Sequence, residues 1–93
     1  VQEGPAVRLF WDPGPERDLR GYRVERAVGD GGWATITPDP VSDPLFRDPD
    51  VRVGQRVRYR VLAEDGAEPP NVSEPSEEVV VVVAADPVSG TIP

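Results

Sequence analysis

Four sets of residues in this chain have types and spacings that could do chemistry. Carboxylates come in close pairs, Glu16 with Asp18 and Asp48 with Asp50. Two carboxyls flanking a cleft, with their pKa values held apart, are the machinery of glycoside hydrolysis. A second acidic set, Glu64, Asp65, Glu68 and Glu74 with Asn71, offers the oxygen ligands that a hard cation such as Ca²⁺ takes. Its spacing matches no calcium loop and Pro69-Pro70 stiffens it, so a solvated acidic loop is the better reading. Arginines at every second position, Arg56, Arg58 and Arg60, joined by Arg23, could bind an anionic ligand or dock a protein. Asn71-Val72-Ser73 fits the acceptor pattern for N-glycosylation, a three-residue match that chance often produces.

Most other chemistry is excluded by what the chain lacks. Its 93 residues contain no Cys, no His and no Met, and all ten basic residues are arginine. Disulfides, thiolate and imidazole metal sites, histidine bases, lysine Schiff bases and Ser-His-Asp triads are therefore impossible. The paired carboxylates are the one enzymatic option left. A domain this small, with its core filled, offers them little cleft, so the expectation is no catalysis and no cofactor or metal.

Seventeen acidic residues against ten arginines give a net charge of −7. Residues 1–60 hold all ten arginines and ten acids, and residues 61–93 hold seven acids and no base, so the excess lies wholly in the last third. That balance argues against nucleic acid as a partner, because phosphates repel it. No apolar run approaches the ~18 residues needed to span a membrane as a helix. The chain does not begin with Met and reads as a piece of a larger protein.

Any site must be positioned by strands. Proline and glycine make up 21 of 93 residues (12 + 9), spread between apolar runs, which indicates a turn-rich all-β domain. Val7-Arg8-Leu9-Phe10-Trp11 alternates, with Val7, Leu9 and Trp11 on one face. Gly21 to Val28 places Tyr22 and Val24 inward and Arg23 and Glu25 outward. Gly29-Asp30-Gly31-Gly32 turns the chain, and Trp33 to Thr37 returns. Leu45 to Arg47 is a short strand. Gln55 to Glu64 points Val57, Tyr59, Val61 and Ala63 inward, and Arg56, Arg58, Arg60 and Leu62 outward. Glu78 to Ala84 is the last strand, and residues 86–93 read as a linker or tail.

These residues resemble a known family. Val-x-Leu-x-Trp-Asp-Pro (Val7 to Pro13), Gly-Tyr-x-Val (Gly21 to Val24), Trp33 after a Gly-rich hairpin, Val53-Gly54 before Val57-x-Tyr59-Arg60-Val61-x-Ala63, and Ser73-x-Pro75-Ser76 follow the order of a fibronectin type III domain of the bacterial type. The resemblance covers about residues 6–84. It implies an immunoglobulin-like β-sandwich of about seven strands, A-B-E against C′-C-F-G, within a domain spanning residues 1–85. It places Trp11, Tyr22, Val24, Tyr59 and Val61 in the core, and Val79 and Val81 inward on strand G. Two departures stand out. Val57 occupies the place of the family's corner tyrosine. Strand A is short or truncated, which would leave the edge of strand B open to self-association.

The expected function is a noncatalytic structural or interaction module of an extracellular or cell-surface protein. Its expected partners are neighbouring domains of the parent chain, with the module itself a monomer. The alternative is a binding module that recognises carbohydrate or protein through its loops or through the C-F-G face. On that face Arg23, Arg58, Arg60, Leu62, Val80 and Val82 form the candidate surface. Ion pairing of the arginines with Glu25 and Glu78 is the simpler reading of the ladder. The valines either lie as scattered surface hydrophobes or contact a neighbouring domain or a second copy. No Arg-Gly-Asp tripeptide is present; Arg20-Gly21-Tyr22 is not one.

Overall fold

The computed structural model describes residues 4–12, 19–37 and 39–92. Seven strands run in chain order: β1 (Val7–Trp11), β2 (Leu19–Val28), β3 (Ala34–Thr35), β4 (Leu45–Asp48), β5 (Arg56–Asp65), β6 (Val79–Val82) and β7 (Val88–Ile92). They form two sheets, ordered β4-β1-β7 and β3-β2-β5-β6. The protein is an all-β sandwich.

Period-two patterning decides which side chains meet between the sheets. Val7, Leu9, Val24, Val57 and Tyr59 have no solvent exposure, and Trp11, Tyr22, Val61, Val81 and Ile92 are buried with them. Trp11 and Tyr22 meet edge to face, with ring centroids 5.4 Å apart. Val79 is half-buried beside Val81.

Glycine permits two of the turns. Gly29 adopts φ +56° after β2, where the Gly31 N–H closes onto the Val28 carbonyl at 2.9 Å. Gly54 adopts φ +87° just ahead of β5. Between β5 and β6 the backbone leaves the ladder, and two serines take over. Ser73 and Ser76 donate backbone N–H bonds to the carbonyls of Ala63 and Val61. Their hydroxyls in turn accept from the N–H groups of those same two residues at 2.8 and 2.9 Å.

The end of the chain differs from expectation. Residues 88–92, read above as linker, form β7 and pair in parallel with all of β1, from Val7↔Val88 to Trp11↔Ile92. Val88, Gly90 and Ile92 alternate inward, and Gly90 fits between Val81 and Leu9 where a side chain would crowd. A serine, a glycine and a preceding proline disguised a strand of three inward positions as a linker. Among the described residues no strand precedes β1. Its outer edge, expected to lie open, is covered by β7.

Candidate interaction surface

The outer face of the β2-β5-β6 sheet holds all six residues of the candidate surface. Register places Arg23 opposite Leu62, Glu25 opposite Arg60, Arg58 opposite Val80 and Arg56 opposite Val82. Most of the arginines there are already engaged. Arg23 Nε donates to Glu64 Oε2 at 2.9 Å, and Arg20 approaches the other Glu64 oxygen at 3.9 Å. Arg60 Nε donates to Glu25 at 2.6 Å. Arg58 donates to the carbonyls of Gly29 and Gly31 and lies 3.6 Å from Glu78. It thereby fastens the β2–β3 hairpin to β5.

Trp33 lies across this face, with the Arg60 guanidinium 4.3 Å and the Arg58 guanidinium 5.1 Å from its ring centroid. Each contact is a cation–π pair. Arg58 and Arg60 thus share one indole, while Arg23 pairs separately with Glu64 and Arg56 lies outside both groups. Beyond them, Leu62 is half-buried, and Val80 and Val82 are 44% and 63% exposed.

Glu64 changes role. It continues the outward row of β5, yet it is buried beneath Arg20 and Arg23. It is an ion-pair partner at the rim of a polar groove of about 450 Å³ that Thr35, Thr37 and Asp39 also line. Asp65 is also committed. Its carboxylate accepts from the Asn71 side chain and from the N–H groups of Asn71 and Ala67. Those bonds, the Asn71 side chain's first, hold its pKa below the usual aspartate value. Among the described residues no three His, Cys, Asp or Glu side chains converge as a metal site.

The carboxylate pairs part in the same way. Glu16 and Asp18 lie outside the described residues. Asp50 is exposed, whereas Asp48 is buried inside a network that reaches from one sheet to the other. Arg26 continues the inward row of Tyr22 and Val24. Its Nη1 donates to both Asp48 oxygens, at 3.0 and 2.9 Å. Tyr59 Oη donates to Asp48 Oδ2 at 2.6 Å, and the Asp50 N–H donates to Oδ1 at 3.1 Å. Burial, then the Asp48 bond and charge, push the Tyr59 pKa up. For Arg26 burial opposes the charge, but the bond and charge of Asp48 outweigh it and the pKa rises. Tyr59 therefore ties β5 to β4 through its hydroxyl, a bond that the apolar side chain of Val57 cannot make.

Sequence reasoning missed Arg26, Trp33 and Glu64 as structural partners. An arginine in the inward slot of an alternating strand was the available signal for the first. On the opposite face of the sandwich, Phe10 pairs with Leu45 and Arg8 with Arg47. They line a shallow, largely apolar cleft of about 220 Å³, and Phe10 is 42% exposed.

In a comparison of the chain with protein-family models, none matches.

Proposed function

We propose that the chain is a noncatalytic module of the fibronectin type III kind, acting in a larger extracellular or cell-surface protein as a spacer between neighbouring domains. One observation carries this reading. Because β1 and β7 are parallel, the chain enters the sandwich at Val7 and leaves it at Ile92, at opposite ends of the pair. Segments joined there are held apart by a packed sandwich rather than a flexible coil.

Two further features support it. The order β3-β2-β5-β6 is the C′-C-F-G order that the resemblance implies, and β4-β1 corresponds to E-B. Three cations of the ladder, Arg23, Arg58 and Arg60, are neutralised within the domain. The test places the module between two folded carrier domains and measures their separation by small-angle scattering. A single narrow separation is expected. The broad distribution of a flexible linker would overturn the reading.

The cleft at Phe10 and Leu45, with Arg8 and Arg47 beside it, favours a second reading as a binding module. Its ligand would present an apolar group to Phe10 and Leu45. A screen of polysaccharides and proteins, with Phe10→Ala and the pair Arg58→Ser/Arg60→Ser, separates the faces. Binding lost only in Phe10→Ala assigns the cleft, and binding lost only in the arginine variant assigns the ladder.

A further inference from the structure

The two sheets have four edge strands, and three of them are poor templates for pairing. β3 has two residues. β4 carries Arg47 and Asp48 and lies between Pro44 and Pro49. β7 begins after Pro87 and contains Gly90. β6 is different: four valines followed by Val83, Ala84 and Ala85, with no charge or proline from 79 to 85. Among the described residues it pairs with β5 on one side and with no strand on the other.

The hydrogen-bond alternation says which groups that edge offers. The Val83 N–H bonds to the Gln55 carbonyl at 2.9 Å, on the β5 side. In an antiparallel ladder alternate residues bond the same neighbour, so Val79 and Val81 also face β5. The N–H and C=O groups of Val80 and Val82 therefore point away from the sheet. Their side chains, 44% and 63% exposed, stand beside them.

We infer that β6 pairs antiparallel with β6 of a second copy of this chain, with Val80 opposite Val82 of the other copy and Val81 on the two-fold axis. This register gives both copies reciprocal bonds through the outward groups of Val80 and Val82, and it keeps outward side chains on one face. Charge selects the direction. A parallel pairing would set Glu77 and Glu78 against their own copies. The antiparallel register sets them against Ala85 and Ala84. It also brings Glu78 diagonally toward Arg56 of the other copy, and Arg56 is the member of the ladder with no ion pair among the described residues. An edge contact of this length falls below the ~1,200 Å² of stable complexes, so the dimer is weak, with Kd on the order of 10⁻⁴ M, and the monomer prevails in dilute solution. The pairing does not depend on the spacer reading.

Sedimentation equilibrium from about 10 μM to about 1 mM is the test, with amide spectra recorded over the same range. The expected result is a rise from one chain toward two, with the Val80 and Val82 amides shifting as it occurs. Val80→Pro deletes an N–H that β5 does not use, and Val82→Lys places a charge on the edge. Each is expected to weaken association at least about tenfold, with Val82→Lys serving if the proline variant does not fold. Arg56→Glu should also weaken it, by like-charge contact with Glu78. A wild-type chain that stays monomeric to 1 mM, or association that survives Val82→Lys, overturns the inference.

Discussion

Replacing Asp48 with alanine should be the most costly single change in the Arg26–Asp48–Tyr59 network. The substitution removes the acceptor of the Tyr59 hydroxyl, a hydrogen bond to a charged group of the kind that contributes roughly 1.5–3 kcal/mol. It also strips Arg26 of its buried partner. Breaking a fully buried pair costs about 3–5 kcal/mol. Here the cost is smaller, because the Arg26 side chain is 19% exposed and keeps the Asp50 carbonyl at 3.1 Å. The combined loss should be about 3 kcal/mol, which for a domain of this size lowers Tm by about 12–24 °C. Tyr59→Phe, which removes the hydroxyl alone, should cost about 2 kcal/mol. Urea unfolding followed by tryptophan fluorescence measures both, and the double variant gives a coupling of about 1–2 kcal/mol. Replacing all three with apolar residues of similar volume should recover much of the loss, because their desolvation cost disappears with them. A loss under about 1 kcal/mol for Asp48→Ala, or no coupling to Tyr59, would refute the account of a cooperative buried network.

Three other outcomes are expected. Trp33→Ala should cost about 1–2 kcal/mol, since two partly buried cation–π contacts are lost; an unchanged melting curve would show the indole to be idle. Gly21→Ala should destabilise by about 1–3 kcal/mol, because its Cβ would lie 2.6 Å from Pro40 Cβ and 2.9 Å from the Val41 carbonyl oxygen. Gly32→Ala, which meets nothing within 4 Å, should be neutral to within about 0.5 kcal/mol, and equal losses at the two sites would undo the steric argument. Asp65 has a lowered folded-state pKa, so its contribution to the 65–71 turn is present above the ordinary aspartate pKa and fades as pH falls through the lowered value. An Asn71 amide whose acid titration midpoint lay at or above the ordinary aspartate value would contradict this.

How much of this could be foreseen varies by residue, for physical reasons. Alternation from Arg56 to Ala63 announces both the strand and its inward side, because one face meets core and the other water. The same parity marks Arg26 as inward, but its partner Asp48 lies 22 positions away on the other sheet, where only tertiary packing brings it. Glu64 has the parity of an exposed residue and is buried by long neighbours, Arg20 and Arg23, which a pattern of residue types does not register. The valine run shows no alternation in type; the neighbouring strand decides its facing. β7 hides in the sequence because Gly90 replaces an apolar residue at the point where Val81 leaves no room for one. Alternation puts the ladder arginines on the outer face, but the stacking of Trp33 on two of them depends on a hairpin geometry that the Gly-rich turn alone does not specify.

The parallel register of β1 and β7 also determines how the domain resists being pulled. Tension applied through Val7 and Ile92 draws the two strands lengthwise past each other, along the whole register from Val7↔Val88 to Trp11↔Ile92. The hydrogen bonds between them are then strained in shear, together, and must fail nearly at once. An antiparallel hairpin pulled from its open end peels one bond at a time and yields at low force. Five residues of a segment whose composition reads as linker or tail would thus bear that load.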